Sequence, residues 1–139
     1  MTLVDTSVWI DVFRRRNPLD LEALVDLEEV VTCLPVLQEV LQGFCDDRAF
    51  RLARDSMLAF PLVDSPLPLE RHLAAVDLYR LCRGRGLTVR SSMDCLIAAS
   101  AMRHDLEVLH RDRDYTLVAR VALSPWPVGR AHPRTTPGL

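Results

Sequence analysis

Short runs of aliphatic and β-branched residues alternate with longer stretches of helical spacing along most of this chain. No other feature limits the fold as strongly. The short runs are Leu3-Val4, Val30-Val31-Thr32-Cys33, Leu62-Val63, Leu106-Glu107-Val108-Leu109 and a last one over Val121–Leu123. Between them, Asp5, Thr6 and Ser7 supply helix caps ahead of Val8, Trp9, Val12 and Phe13. Pro18 opens a helical segment through Leu19, Leu21, Leu24 and Val25, and Pro35 starts another at its favoured first turn. Asp46 or Asp47 caps a helix carrying Phe50, Leu52, Ala53 and Leu58. Pro68 to Cys82 sets Leu69, Leu73, Val76 and Tyr79-Arg80-Leu81 at helical spacing, and Gly84-Arg85-Gly86 stops it. Ser91 or Ser92 begins a helix to about His104, and Asp112 to Val118 turns into the last one. Strands alternating with helices predict an α/β domain with a mainly parallel sheet.

A chain of 139 residues makes one such domain. Composition shifts after Pro125 to Pro, Gly, Thr and Arg, so the domain is expected over 1–125 and a C-terminal extension or partner-binding arm over 126–139. The apolar run around Met93–Met102 is shorter than the roughly 20 residues a membrane span needs. Met-Thr-Leu-Val-Asp5 lacks the basic start of a signal peptide, so a soluble cytoplasmic protein without membrane contact is expected. Cys33, Cys45, Cys82 and Cys95 have no metal-knuckle spacing and read as reduced packing residues.

All 17 basic residues are arginine. Without lysine there is no P-loop and no Schiff-base chemistry. A net charge of −2 gives no global pull on nucleic acid, so any such binding rests on local arginine clusters. Those clusters are Arg14-Arg15-Arg16, Arg83 with Arg85 and Arg90, and Arg111 with Arg113. The histidines show no paired ligand spacing, and no Gly-x-Ser-x-Gly elbow is present.

In open α/β sheets ligands bind beyond the carboxyl ends of the strands. Asp5, Glu39, Asp94 and Asp112 all follow predicted strands in that position. Converging carboxylates stay ionised only with cations nearby, and hard divalent ions favour oxygen ligands. Such a site suits in-line phosphodiester hydrolysis. Taken singly, Asp5 reads equally as a helix cap, Glu39 as a solvated face and Asp112 as a charged turn. Asp94 differs: it is the sole charge between Ser91 and Met102, with Ile97, Ala98 and Ala101 on its face. A carboxylate in so apolar a helix needs a partner.

These residues stand in four segments: Leu-Val-Asp5-Thr-Ser-Val-Trp-Ile-Asp, Pro35-Val-Leu-Gln-Glu39-Val, Ser92-Met-Asp94-Cys-Leu-Ile-Ala-Ala and His110-Arg-Asp112-Arg-Asp114-Tyr. In order and position the segments resemble the PIN-domain ribonucleases, and within them the VapC-type toxins of bacterial type II toxin–antitoxin pairs, over residues 1–125. The resemblance implies a three-layer PIN-like α/β domain, its central sheet flanked by helices. It implies an endoribonuclease dependent on Mg²⁺, with Mn²⁺ as the other candidate, whose catalytic acids are Asp5, Glu39, Asp94 and Asp112. Asp5, Asp94, Asp112 and Asp114 would be its metal ligands, and Thr6 or Ser7 would order water. Arg90, Arg111 and Arg113, each near a proposed ligand, are the candidates for RNA phosphate contact. The partners implied are an RNA substrate, a second copy in a homodimer and a VapB-type antitoxin. One departure is His110, where the usual residue before the fourth motif is threonine. Two other readings remain beside this one: a PIN-like module that binds RNA or protein without cutting, and a metal-dependent nuclease of DNA or general phosphoesterase.

Overall fold

The computed structural model describes residues 1–121 and 128–130. In chain order the elements are β1 (Thr2–Val4), α1 (Thr6–Phe13), β2 (Val30–Cys33), α2 (Leu34–Leu41), α3 (Asp47–Leu58), β3 (Leu62–Val63), α4 (Leu69–Gly84), α5 (Ser92–Arg103), β4 (Glu107–His110), α6 (Arg113–Val121) and β5 (Val128–Arg130). The strands form one sheet in the order β3-β2-β1-β4-β5, with every pairing parallel. A parallel sheet is covered on both faces, so its strands read as unbroken apolar runs. Leu3, Val4, Val30, Val31 and Val108 are accordingly at most 1% exposed.

Helix starts follow local chemistry. Asp5 caps α1 by accepting from the Ser7 N–H, and Pro35 sits in the first turn of α2. Asp46, not Asp47, caps α3, accepting from Ala49 N at 2.7 Å. Ser91 stands at the N-cap of α5, whose residues from Asp94 through Ala101 are all buried. A helix apolar all round is a core helix, and this one carries Asp94 inside with it.

Five expectations change. The helix expected after Pro18 is replaced by two short 3-10 turns, Leu21–Ala23 and Leu27–Glu29. Asp20 and Asp26 accept from Glu22 N and Glu28 N, a local bonding pattern that competes with a continuous helix. Helix α4 forms where expected, but the residues that marked it face outward: Leu69, Leu73, Val76, Tyr79 and Leu81 are exposed. Its inner face is Arg71, Ala75, Leu78 and Cys82. Val121 ends α6 instead of opening a strand, and Ala122 and Leu123 lie outside the described residues. The fifth strand is Val128–Arg130, within the segment assigned to the extension, and the remainder of that extension, 131–139, also lies outside. Cys33, Cys82 and Cys95 are buried, whereas Cys45 is exposed and not a packing residue. Among the described residues no helix is long and apolar enough to cross a membrane.

From β1 the chain moves outward to β2 and β3, then returns to the other side of β1 for β4 and β5. The strand order therefore reverses between β1 and β4, and a ligand crevice opens there at the carboxyl ends. Asp5 follows β1 directly and Asp112 lies two residues past β4.

Candidate active site

Asp5 is 2% exposed, and both of its oxygens are held. Oδ2 accepts from Ser7 N at 2.9 Å and from Ser7 Oγ, while Oδ1 accepts from the Tyr115 hydroxyl at 2.6 Å. The same Tyr115 hydroxyl lies 3.5 Å from Asp94 Oδ1, so one phenol links the first acid to the third. Asp114 is fully buried, and its Oδ2 accepts from the Arg90 backbone N–H at 2.9 Å. Asp114 N in turn donates to Asp112 Oδ1 at 2.9 Å. Asp112 N donates to His110 Nδ1 at 3.1 Å, which is the hydrogen bond the histidine provides where threonine is usual.

Asp94, Asp112 and Asp114 each present one oxygen, and these lie within 4.8 Å of one another. Asp94 Oδ2 and Asp114 Oδ1 are buried and find no hydrogen-bond partner among the described residues. Burial raises the Asp94 carboxyl most, followed by the adjoining Asp114 and the charges of Asp5 and Asp112, and together they push it up to about 8. Glu39 stands at the margin. Thr6 Oγ1 donates to its Oε1 at 3.0 Å, and burial, opposed by that bond and reinforced by Asp5 and Asp112, raises its pKa. The hydroxyls of Thr6 and Ser7 thus both direct their protons at carboxylates, on Glu39 and Asp5 respectively.

Of the arginines proposed for phosphate contact, two are paired with acids. Arg90 Nη2 lies 3.2 Å from Asp112 Oδ1, and its Nε lies 3.8 Å from Asp114 Oδ1. Arg111 pairs with Asp11 at 2.5 Å, while its N–H donates to Ser7 Oγ at 2.9 Å. Arg113 begins α6, and its side chain lies outside the described residues.

Sequence reasoning missed Tyr115. An aromatic after Asp114 reads as core, and it is indeed 0% exposed, packed beside the His110 ring. Its hydroxyl reaches Asp5 only because the first turn of α6 comes beside the residue that follows β1. A buried phenol needs a hydrogen-bond partner, which was the available signal.

Buried carboxylates without donors are costly unless a charge compensates them. Three carboxylate oxygens converge here, two buried oxygens are orphaned, and Asp94 is driven toward its neutral form by burial and then by the acids around it. Hard divalent cations take oxygen ligands in such arrangements. The residues present therefore fit a divalent metal ion.

A PIN domain family model matches residues 2–121. The chain belongs to the PIN-domain family. Its curated relatives include the VapC ribonuclease Mb1587 of Mycobacterium bovis, 34% identical over 126 residues, which span 87% of this chain and 93% of that protein. Within the PIN domains the chain is therefore a member of the VapC ribonuclease family. Solved PIN-domain structures share the fold. VapBC-5 of Mycobacterium tuberculosis, a toxin–antitoxin system, superimposes with a TM-score of 0.68 at 22% identity, covering 94% of this chain and 98% of that one. VapC20 of the same organism, described as a sarcin–ricin loop cleaving toxin, gives 0.66 at 20% identity, covering 90% and 99%. PIN-domain nucleases generally use divalent metal ions, in keeping with the acids gathered here.

Proposed function

We propose that this chain is a metal-dependent endoribonuclease, using Mg²⁺ or Mn²⁺, that cuts cellular RNA by in-line phosphodiester hydrolysis. In this reading it is a cytoplasmic toxin that forms a homodimer and is neutralised by a VapB-type antitoxin. The relatives' names and the VapBC assemblies of the same fold support the toxin role. The observation that carries the nuclease is the meeting of Asp94, Asp112 and Asp114, with buried oxygens that no donor satisfies.

Asp94, Asp112 and Asp114, with Asp5 beside them, would hold the metal. Such an ion, when bound, would supply activation of water and neutralisation of charge developing on the phosphate. The chain's own groups set the stage for that chemistry. Ser7 and Tyr115 fix both oxygens of Asp5, so its carboxylate cannot rotate away. The Arg90 N–H holds the Asp114 carboxylate, and the Asp114 N–H holds that of Asp112. Glu39 is half-buried, anchored by Thr6, and raised above the ordinary carboxylate range, which suits it to accept a proton during attack.

One observation favours the silent binding module: the Arg90 guanidinium lies against Asp112 and Asp114 and supplies a cation of the chain's own. Its side chain is 58% exposed, so it can swing away at little cost. The deciding experiment incubates purified, antitoxin-free protein with a mixed RNA pool and Mg²⁺ or Mn²⁺, beside Asp94→Asn. Metal-dependent cutting is expected, reduced in the variant by on the order of 10³-fold. RNA bound by folded wild type but left uncut would establish the silent module. Competition with single-stranded DNA and a small phosphodiester separates RNA from the other substrates.

A further inference from the structure

The carboxyl end of α4 carries charge that the acidic centre does not use. Arg80, Arg83 and Arg85 are exposed, and none forms an ion pair among the described residues. Arg14, Arg54, Arg71, Arg90 and Arg111, by contrast, each pair with a carboxylate. Arg83 would be accounted for by the partial negative charge at a helix end. Arg85 caps the helix and shares that explanation, whereas Arg80 lies further in, on the exposed side of α4.

Their position relative to the acids is fixed by hydrogen bonds. Gly86 N donates to Arg83 O at 3.0 Å and Leu87 N to Cys82 O at 2.9 Å, folding the turn back on α4. Gly86 takes a φ of 71°, which favours glycine in this tight turn. The turn then leads to Arg90, whose backbone N–H holds Asp114. Cys82, one residue before Arg83, is close enough to Asp114 that its charge adds to burial in raising the thiol. The unpaired arginines thus belong to the same stretch of chain that carries Arg90 to the acidic centre. A Cβ placed on Gly84 or Gly86 would meet nothing within 4 Å, so the surface between the arginines stands open. Arg80, Gly84 and Arg85 line a shallow depression there with Leu81 and a single acid, Asp77, which pairs with neither arginine.

We propose that Arg80, Arg83 and Arg85 are a track for the RNA backbone, holding phosphates to one side of the bond that the acidic centre cuts. The proposal rests on the ribonuclease reading and adds where the substrate strand runs. Three exposed guanidiniums without ion pairs, two of them lining one depression, complement a polyanion, and phosphate contacts position a strand without reading its sequence.

The test measures binding of a fluorescent mixed-sequence single-stranded RNA over a salt series, in the Asp94→Asn background so that the probe stays intact. Arg80→Ala/Arg83→Ala/Arg85→Ala is compared with a charge-matched control, Arg48→Ala/Arg51→Ala/Arg103→Ala, also exposed arginines without ion pairs. The track variant is expected to bind about tenfold or more weakly at low salt. Its log–log salt slope should be shallower by about 2, since each single-strand phosphate contact contributes roughly 0.7. Equal losses in both variants, or an unchanged slope, would overturn the track. Cleavage by the protein with Asp94 intact tells the two failures apart: metal-dependent cutting with no special effect of the track variant removes the track alone. Absence of both cutting and RNA binding removes the ribonuclease reading and the track with it.

Discussion

Two buried carboxylates show opposite treatment of charge in one small domain. Asp64, just past β3, is a settled ion: Arg71 Nε lies 2.6 Å from its Oδ2 and His104 Nε2 lies 2.9 Å from its Oδ1. Burial pushes its carboxyl up, but the bonds from Arg71 and His104 prevail and hold it down to about 2. Asp94 is the more deeply enclosed, and its neighbours are other acids, so burial and repulsion push it up to about 8. A protein that can pair a buried acid so completely at one place has left another unpaired. The difference separates an ion that ties β3, α4 and α5 together from one that waits for a cation from outside.

The sharpest way to break this contrast is to remove the internal partner. Arg71→Ala leaves Asp64 with His104 as its one charged partner, and should cost up to about 3–5 kcal/mol in denaturant unfolding. Affinity for Mn²⁺, measured by calorimetry on folded protein, should be unchanged. A parallel loss of metal binding would mean that the two acidic centres are not separate.

Next in size is the effect of supplying the cation. Mn²⁺ at a hundred times its dissociation constant should stabilise wild type by about 2.7 kcal/mol, a thermal shift on the order of 10 °C. In Asp94→Asn the shift should shrink. An equal shift in both would place the ion elsewhere.

The last test is the pH profile of the metal-free protein, where the two acids act with opposite sign. Asp64 is more acidic folded than unfolded, so its contribution of about 2 kcal/mol is complete above pH 4 and is lost as pH falls toward 2. Asp94 is less acidic folded, so the folded state keeps a proton that the unfolded chain has released. Stability therefore declines as pH rises from about 4 to about 8. Urea midpoints in chelator should show both limbs, with Asp64→Asn flattening the acid limb and Asp94→Asn the other. A single limb, or limbs insensitive to these substitutions, would contradict the contrast.

Much of the fold was legible from local chemistry. Val30–Cys33 reads as a doubly covered strand because a parallel sheet leaves no solvent face, and Pro35 and the acids before α1 and α3 mark helix starts. Asp94 stood out because a lone charge in an apolar helix has no bland explanation within that helix. Other features were hidden because they depend on which surface meets which. The apolar spacing of α4 is the same whether Leu69, Leu73 and Val76 turn inward or outward, and in this fold they turn outward. Asp64 and Arg71 drew no reading from the sequence, which shows neither their burial nor the approach of His104.

By itself, the sequence determined the alternation of strands and helices, the lack of lysine chemistry, and the acids that stand after strands, because these follow from neighbours along the chain. Only the tertiary structure decided which acids meet. Asp94 comes from α5 and Asp112 and Asp114 from the β4–α6 junction, while Tyr115 reaches across to Asp5 over 110 positions of sequence. Coulombic repulsion and desolvation act through space, so the raised pKa of Asp94 exists only once the reversal of strand order beside β1 has brought these charges together.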